Sequence, residues 1–89
     1  MTNPAQSLLE FPCSFPLKAF GKNSDNFEAF VVAIARPHIS QSESIMVSSR
    51  PSHGGKYLAV TITFTAESQE QLDTLYRELH ASGRVLMLL

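Results

Sequence analysis

The stretch that decides the fold is Lys56–Thr65, KYLAVTITFT, in which Leu58, Val60, Ile62 and Phe64 alternate with Tyr57, Ala59, Thr61, Thr63 and Thr65. A period of two places these sets on opposite faces of an extended strand. The first set needs a packed layer over it, while the threonines can face water or a partner. That describes a central strand of a mostly antiparallel sheet with one face buried.

Working outward, Ser52-His53-Gly54-Gly55 reads as the turn into this strand, its two glycines supplying positive φ. Before it, Ser44–Pro51, SIMVSSRP, puts Ile45 and Val47 on one face, but serines, Arg50 and Pro51 dilute it, so it reads as an edge strand. After the central strand, Ser68 with Gln71 three residues on forms a capping box. Leu72, Leu75, Tyr76 and Leu79 then make an apolar stripe, Gly83 ends the helix, and Arg84–Leu89, RVLMLL, falls where a last strand belongs. On the amino-terminal side, Ser14–Gly21 alternates Phe15, Leu17 and Ala19 with Pro16, Lys18 and Phe20. A helix over Asn26–Ala35 follows, with Phe27, Phe30, Val31 and Ile34 on one side, Ser24 or Asp25 (the latter spaced with Glu28) to cap it, and Pro37 to stop it. His38–Glu43 is a polar loop.

Strand, helix, strand, strand, helix, strand with short connections is the α+β, ferredoxin-like βαββαβ sandwich, a four-stranded antiparallel sheet with both helices on one face. The chain of 89 residues is of single-domain size: residues 1–6 read as a flexible tail and 7–89 as the domain. Within Ser7–Pro12, Ser7 could cap a short helical turn stopped by Pro12, and Leu8, Leu9 and Phe11 should fold back onto the domain or another chain.

The formal net charge is −1, with seven basic and eight acidic residues scattered rather than blocked, which argues against a phosphate-tracking surface. No apolar run, Val85–Leu89 included, comes near the about 20 residues of a membrane helix, and no signal pattern opens the chain. A cytoplasmic protein with no membrane association is expected. The single Cys13 fits a reducing compartment.

Candidate chemistry is sparse. His38, His53 and His80 lack metal-ligand spacing, Cys13 has no histidine or basic cluster near it, and nothing asks for a cofactor. The loop Gly21, Lys22, Asn23, Ser24 and Asp25 joins a glycine, a cation and the free amides of a helix start, so it is the candidate binding site for an anionic small molecule. The acylphosphatase type of this fold uses the same corner, but no arginine lies between Gly21 and Asp25, and an enzyme is not expected. The sheet's bare face holds the second candidate. Phe20 points outward with Lys18, and whichever parity the last strand takes, at least two large apolar residues join it. Phe20, Tyr57, Leu86 and Leu88 form the expected interface, for a homodimer or another protein. RNA-recognition domains share this strand order and stack bases on central-strand aromatics, making RNA binding the alternative, weakened by neutral charge and by Ala59 and Thr61 where aromatics would be needed.

LLEFPCSFPLKAFG (Leu8–Gly21), GGKYLAVTI (Gly54–Ile62), QLDTLYREL (Gln71–Leu79) and the terminal VLMLL together resemble, in order and over nearly the whole chain, the YbeD-like family of small bacterial proteins. The resemblance implies a ferredoxin-like fold similar to ACT domains, which regulate metabolic enzymes by binding amino acids and pair through their sheets. It implies no established activity. Family genes tend to lie beside lipoate-synthesis genes, which suggests a regulatory role there, and the ACT likeness points again to Gly21–Asp25. The family usually carries a serine where this chain has Ala59, and a polar or basic residue near Leu86; both departures make the open face more apolar.

Overall fold

A computed structural model describes residues 10–39 and 45–89. Four strands, β1 (Cys13–Lys22), β2 (Met46–Pro51), β3 (Tyr57–Ala66) and β4 (Val85–Leu88), form one sheet in the order β2-β3-β1-β4. Helix α1 (Phe27–Ala35) and a 3-10 turn (Arg36–His38) connect β1 to β2, and α2 (Gln69–Ala81) connects β3 to β4. Every pairing is antiparallel. This is the ferredoxin-like arrangement expected from the sequence, with β1 and β3 central.

The period-two reading of β3 holds residue by residue. Val60, Ile62 and Phe64 are buried with Leu17 and Ala19 of β1, and they meet Phe27, Val31 and Ala35 of α1 and Leu72, Leu75 and Leu79 of α2 in one core. Strand β2 is exposed along its whole length, as a polar edge strand should be. Helix α2 starts as expected: Ser68 Oγ accepts from the Gln71 amide at 3.0 Å. The Gln71 side chain reaches one residue further back than a capping box requires, accepting from the Glu67 amide at 2.7 Å, and it donates to the His38 carbonyl at 2.7 Å. With His38 Nε2 lying 2.9 Å from Glu78 Oε1, two contacts fasten the 3-10 turn to α2.

Two expectations change. The amino-terminal tail and Ser7–Leu9, where a short helical turn is expected to begin, lie outside the described residues, as do Ser40–Ser44; Phe11 and Pro12 form a bend, and Phe11 packs partly against the core. No side chain caps α1: its N-cap is Asn26, and the Asp25–Glu28 box does not form. Strand β4 follows neither simple parity. Gly21 pairs with Val85 and Phe20 with Met87, so β1 spends one step where β4 spends two, and Leu86 is the extra residue of a bulge. Val85 and Leu88 turn toward the core, Met87 toward the open face, and Leu86 stands out of the ladder, 62% exposed. Leu88 therefore leaves the expected open-face set.

Tyr76, on the core side of α2, donates its hydroxyl to the Leu89 carbonyl at 3.0 Å, and burial raises its pKa above the ordinary 10.0. The fold thus favours the neutral phenol, a stabilisation present below pH about 10 and lost as pH rises through the higher folded value. Tyr76→Phe is expected to lose roughly 1 kcal/mol at neutral pH. Its stability should also fall less steeply than wild type in urea melts above pH about 10.

Candidate functional site at the β1–α1 corner

The turn after β1 is held by a residue that sequence reading placed in a ligand site. Asn23 donates its backbone N–H to the Lys56 carbonyl at 3.0 Å and its side-chain amide to the Gly55 carbonyl at 2.9 Å, locking the corner to the turn before β3. Its backbone N–H and side-chain nitrogen are thus engaged in structure. Gly21 is buried beneath the corner against Phe27, and Asp25 is exposed. Of the five candidate residues, Lys22 and Ser24 line a cavity of about 330 Å³, together with Phe27, Gly83, Arg84 and Leu86.

Arg84 organises this corner and was missed by a search confined to Gly21–Asp25. Gly83 closes α2 in the left-handed conformation, φ +81, and so turns the chain toward the start of α1. There the Arg84 guanidinium carbon lies 4.3 Å from the Phe30 ring centroid and 5.8 Å from that of Phe27. Its Nη2 donates to Ser24 Oγ at 2.6 Å and to Asn26 Oδ1 at 2.9 Å. Asn26 is the N-cap of α1, and its side-chain oxygen accepts from this distant arginine rather than from the helix's own amides. Both partners are neutral, and neither Lys22 nor Arg84 has a carboxylate partner among the described residues. Two cations and the positive end of a helix therefore face one cavity, with Phe27 and Leu86 as its apolar walls.

The open sheet face carries Phe20, half-buried, beside Met87, with Tyr57 39% exposed. Of the expected interface residues, the structure groups Phe20 and Tyr57 there, sets Leu86 at the corner cavity and turns Leu88 inward. Met87 and Leu89 take the vacated places; a bulge, not a motif, put them there. The histidines stay apart: His38 meets Glu78, and His53 and His80 are exposed. No group of three or more His, Cys, Asp or Glu among the described residues could hold a metal ion, and no helix among them is long and apolar enough to cross a membrane.

The solution structure of protein HP0495 from H. pylori covers 100% of this chain and 97% of its own with a TM-score of 0.62, at 9% identity, a likeness of fold alone. Sequence relatives are much nearer. A "UPF0250 protein" of Paraburkholderia phytofirmans is 39% identical over 89 residues and one of Chromobacterium violaceum 40%, each covering 100% of both chains. The family model described as "Protein of unknown function (DUF493)" matches residues 6–89. With that span and those identities, the chain belongs to the DUF493 family, the UPF0250 or YbeD-like group of small bacterial proteins.

Proposed function

We propose that this chain is a non-enzymatic, ACT-like regulatory domain that binds a small amphipathic carboxylic acid at the β1–α1 corner. The observation that carries this reading is Arg84. Its two side-chain hydrogen bonds to protein both leave from Nη2, so its Nη1 and Nε hydrogens are left for a ligand, while the stacked rings hold the guanidinium still. An arginine fixed in this way, with Lys22 across the cavity, suits the planar, bidentate geometry of a carboxylate. Phe27 and Leu86 would cover an apolar tail. Amino acids with apolar side chains and lipoate-related acids both have this shape, and the likeness to the YbeD-like group brings the second class into the panel.

The test is a titration of isotope-labelled protein with apolar amino acids, octanoate, lipoate and, as a control, a short RNA, followed by amide shifts. Saturable shifts at Lys22, Ser24, Arg84 and Leu86 with one of the acids are the expected result. Arg84→Gln should weaken that binding by about tenfold or more, the worth of a lost charged hydrogen-bond pair. Absence of corner shifts with every acid would sink the reading.

A further inference from the structure

None of the four strands carries a carboxylate: they read CSFPLKAFGK, MVSSRP, YLAVTITFTA and VLML. Their three cations all point the same way. Lys18 pairs with Thr61, Lys22 with Tyr57 and Arg50 with Ala59, and these partners are the outward set of β3, so all three stand on the open face. Lys56 adds a fourth at the margin, its Nζ 5.8 Å from the Tyr57 ring centroid. The described acidic residues lie instead in the loops and helices. The net charge of −1 thus conceals a basic sheet face backed by an acidic helix layer.

The basic face is also apolar, and the two properties run in rows across the sheet. One row is Arg50, Ala59, Phe20 and Met87; the next is Ser48, Thr61, Lys18 and, through its backbone bonds to Lys18, Leu89. Met87 is 53% exposed, Leu89 62% and Met46 on the edge strand 69%. We propose that this face docks an acidic, amphipathic segment of another polypeptide, its apolar side laid over Phe20, Met87 and Leu89 and its carboxylates reaching Lys18 and Arg50.

Charge selects this occupant over the self-association that the apolar residues alone suggest. A second copy docked face to face brings together two surfaces that each carry Lys18, Lys22 and Arg50 on strands without a carboxylate, like charge facing like. Single-stranded nucleic acid would use the cations, but it binds on successive aromatic platforms. Here the exposed large side chains of the face are Tyr57 and then Met46, Met87 and Leu89, flexible thioether and aliphatic groups that mould to protein side chains. The surface is separate from the corner cavity except at Lys22, which borders both, so the variants below leave Lys22 and Arg84 untouched.

The experiment titrates the full chain with a fluorescent helical peptide bearing leucines at i, i+3, i+4 and i+7 and glutamates elsewhere. The same peptide with its stripe scrambled, a version with lysine for glutamate and a single-stranded oligouridylate serve as comparisons. Expected are saturable binding to the acidic striped peptide that weakens steeply with added salt, and amide shifts at Lys18, Phe20, Thr61 and Met87 rather than at Arg84. The double variant Lys18→Glu, Arg50→Glu should bind it about tenfold more weakly and take up the lysine peptide instead, a gain that misfolding cannot produce. Equal binding of the scrambled or lysine peptide to wild type, tighter binding of the oligouridylate at the same salt, or dilution-dependent shifts on this face with a dimeric sedimentation mass would each overturn the proposal.

Discussion

Gly21→Ala is expected to destabilise the domain by about 3 kcal/mol, at the upper end of what a single added methyl costs in a packed interior. The reason is room, since Gly21 is not one of the positive-φ glycines, which are Gly54, Gly55 and Gly83. A Cβ there would lie 2.5 Å from Cε1 and Cζ of Phe27 and 2.7 Å from the Arg84 carbonyl oxygen. Phe27 is 1% exposed and wedged between sheet and α1, and the Arg84 carbonyl belongs to backbone leading directly into the Gly21–Val85 pair. Neither can recede alone: relief requires α1 to lift or the start of β4 to move. A domain of this size has on the order of 4 to 13 kcal/mol in total, so the loss is a large share of it. Urea melts should show a lower midpoint with an unchanged slope. A variant as stable as wild type would mean that the strand and helix do not approach this closely.

The second large effect belongs to Phe64→Ala, expected to cost about 3 to 5 kcal/mol. Phe64 is 2% exposed on the central strand β3, and its ring centroid lies 6.1 Å from that of Phe15, its cross-strand partner, at a tilt of 52°. Truncation removes both the burial and the aromatic pairing, the latter worth about 0.5 to 1.5 kcal/mol by itself. For a domain this short the melting temperature should fall by about 15 °C or more, if a folded form survives. Thr63→Ala, one residue away on the open face, is the internal comparison and should change stability by about 0.5 kcal/mol or less. Comparable losses at Phe64 and Thr63 would contradict the one-sided burial on which the fold rests.

That one-sidedness was legible in the chain because it is a periodic property. The alternation in β3, the stripe Leu72, Leu75 and Leu79 of α2, and the Ser68 cap are each decided within about ten residues, and each appears where its spacing put it. The corner is different. Its deciding side chain, Arg84, is 60 residues from Ser24. Nothing local to Gly21–Asp25 announces that an arginine will arrive and bond the side-chain oxygens of Ser24 and Asn26. Reading Asp25 and Glu28 as a capping box places the N-cap one residue too early; it is Asn26, and the oxygen of its side chain accepts from Arg84. The face of Leu88 failed for a related reason: parity counts residues, and a bulge changes the count without leaving a glycine or other mark in VLML. The polarity of the sheet was present in the composition of the strands, but a summed charge near zero hid it until β1, β2 and β3 were set side by side.

The bulge at Leu86 also bears on how this chain tolerates insertion and deletion. Losing one residue from a short strand ordinarily exchanges its two faces and exposes what should be buried. Here the removal of Leu86 would leave Val85 opposite Gly21 and Met87 opposite Phe20, so the core and the open face would both keep their occupants. What would vanish is one wall of the cavity beside Arg84. The strand therefore contains a position where chain length can change while the architecture stays the same, and where such a change alters what the corner admits.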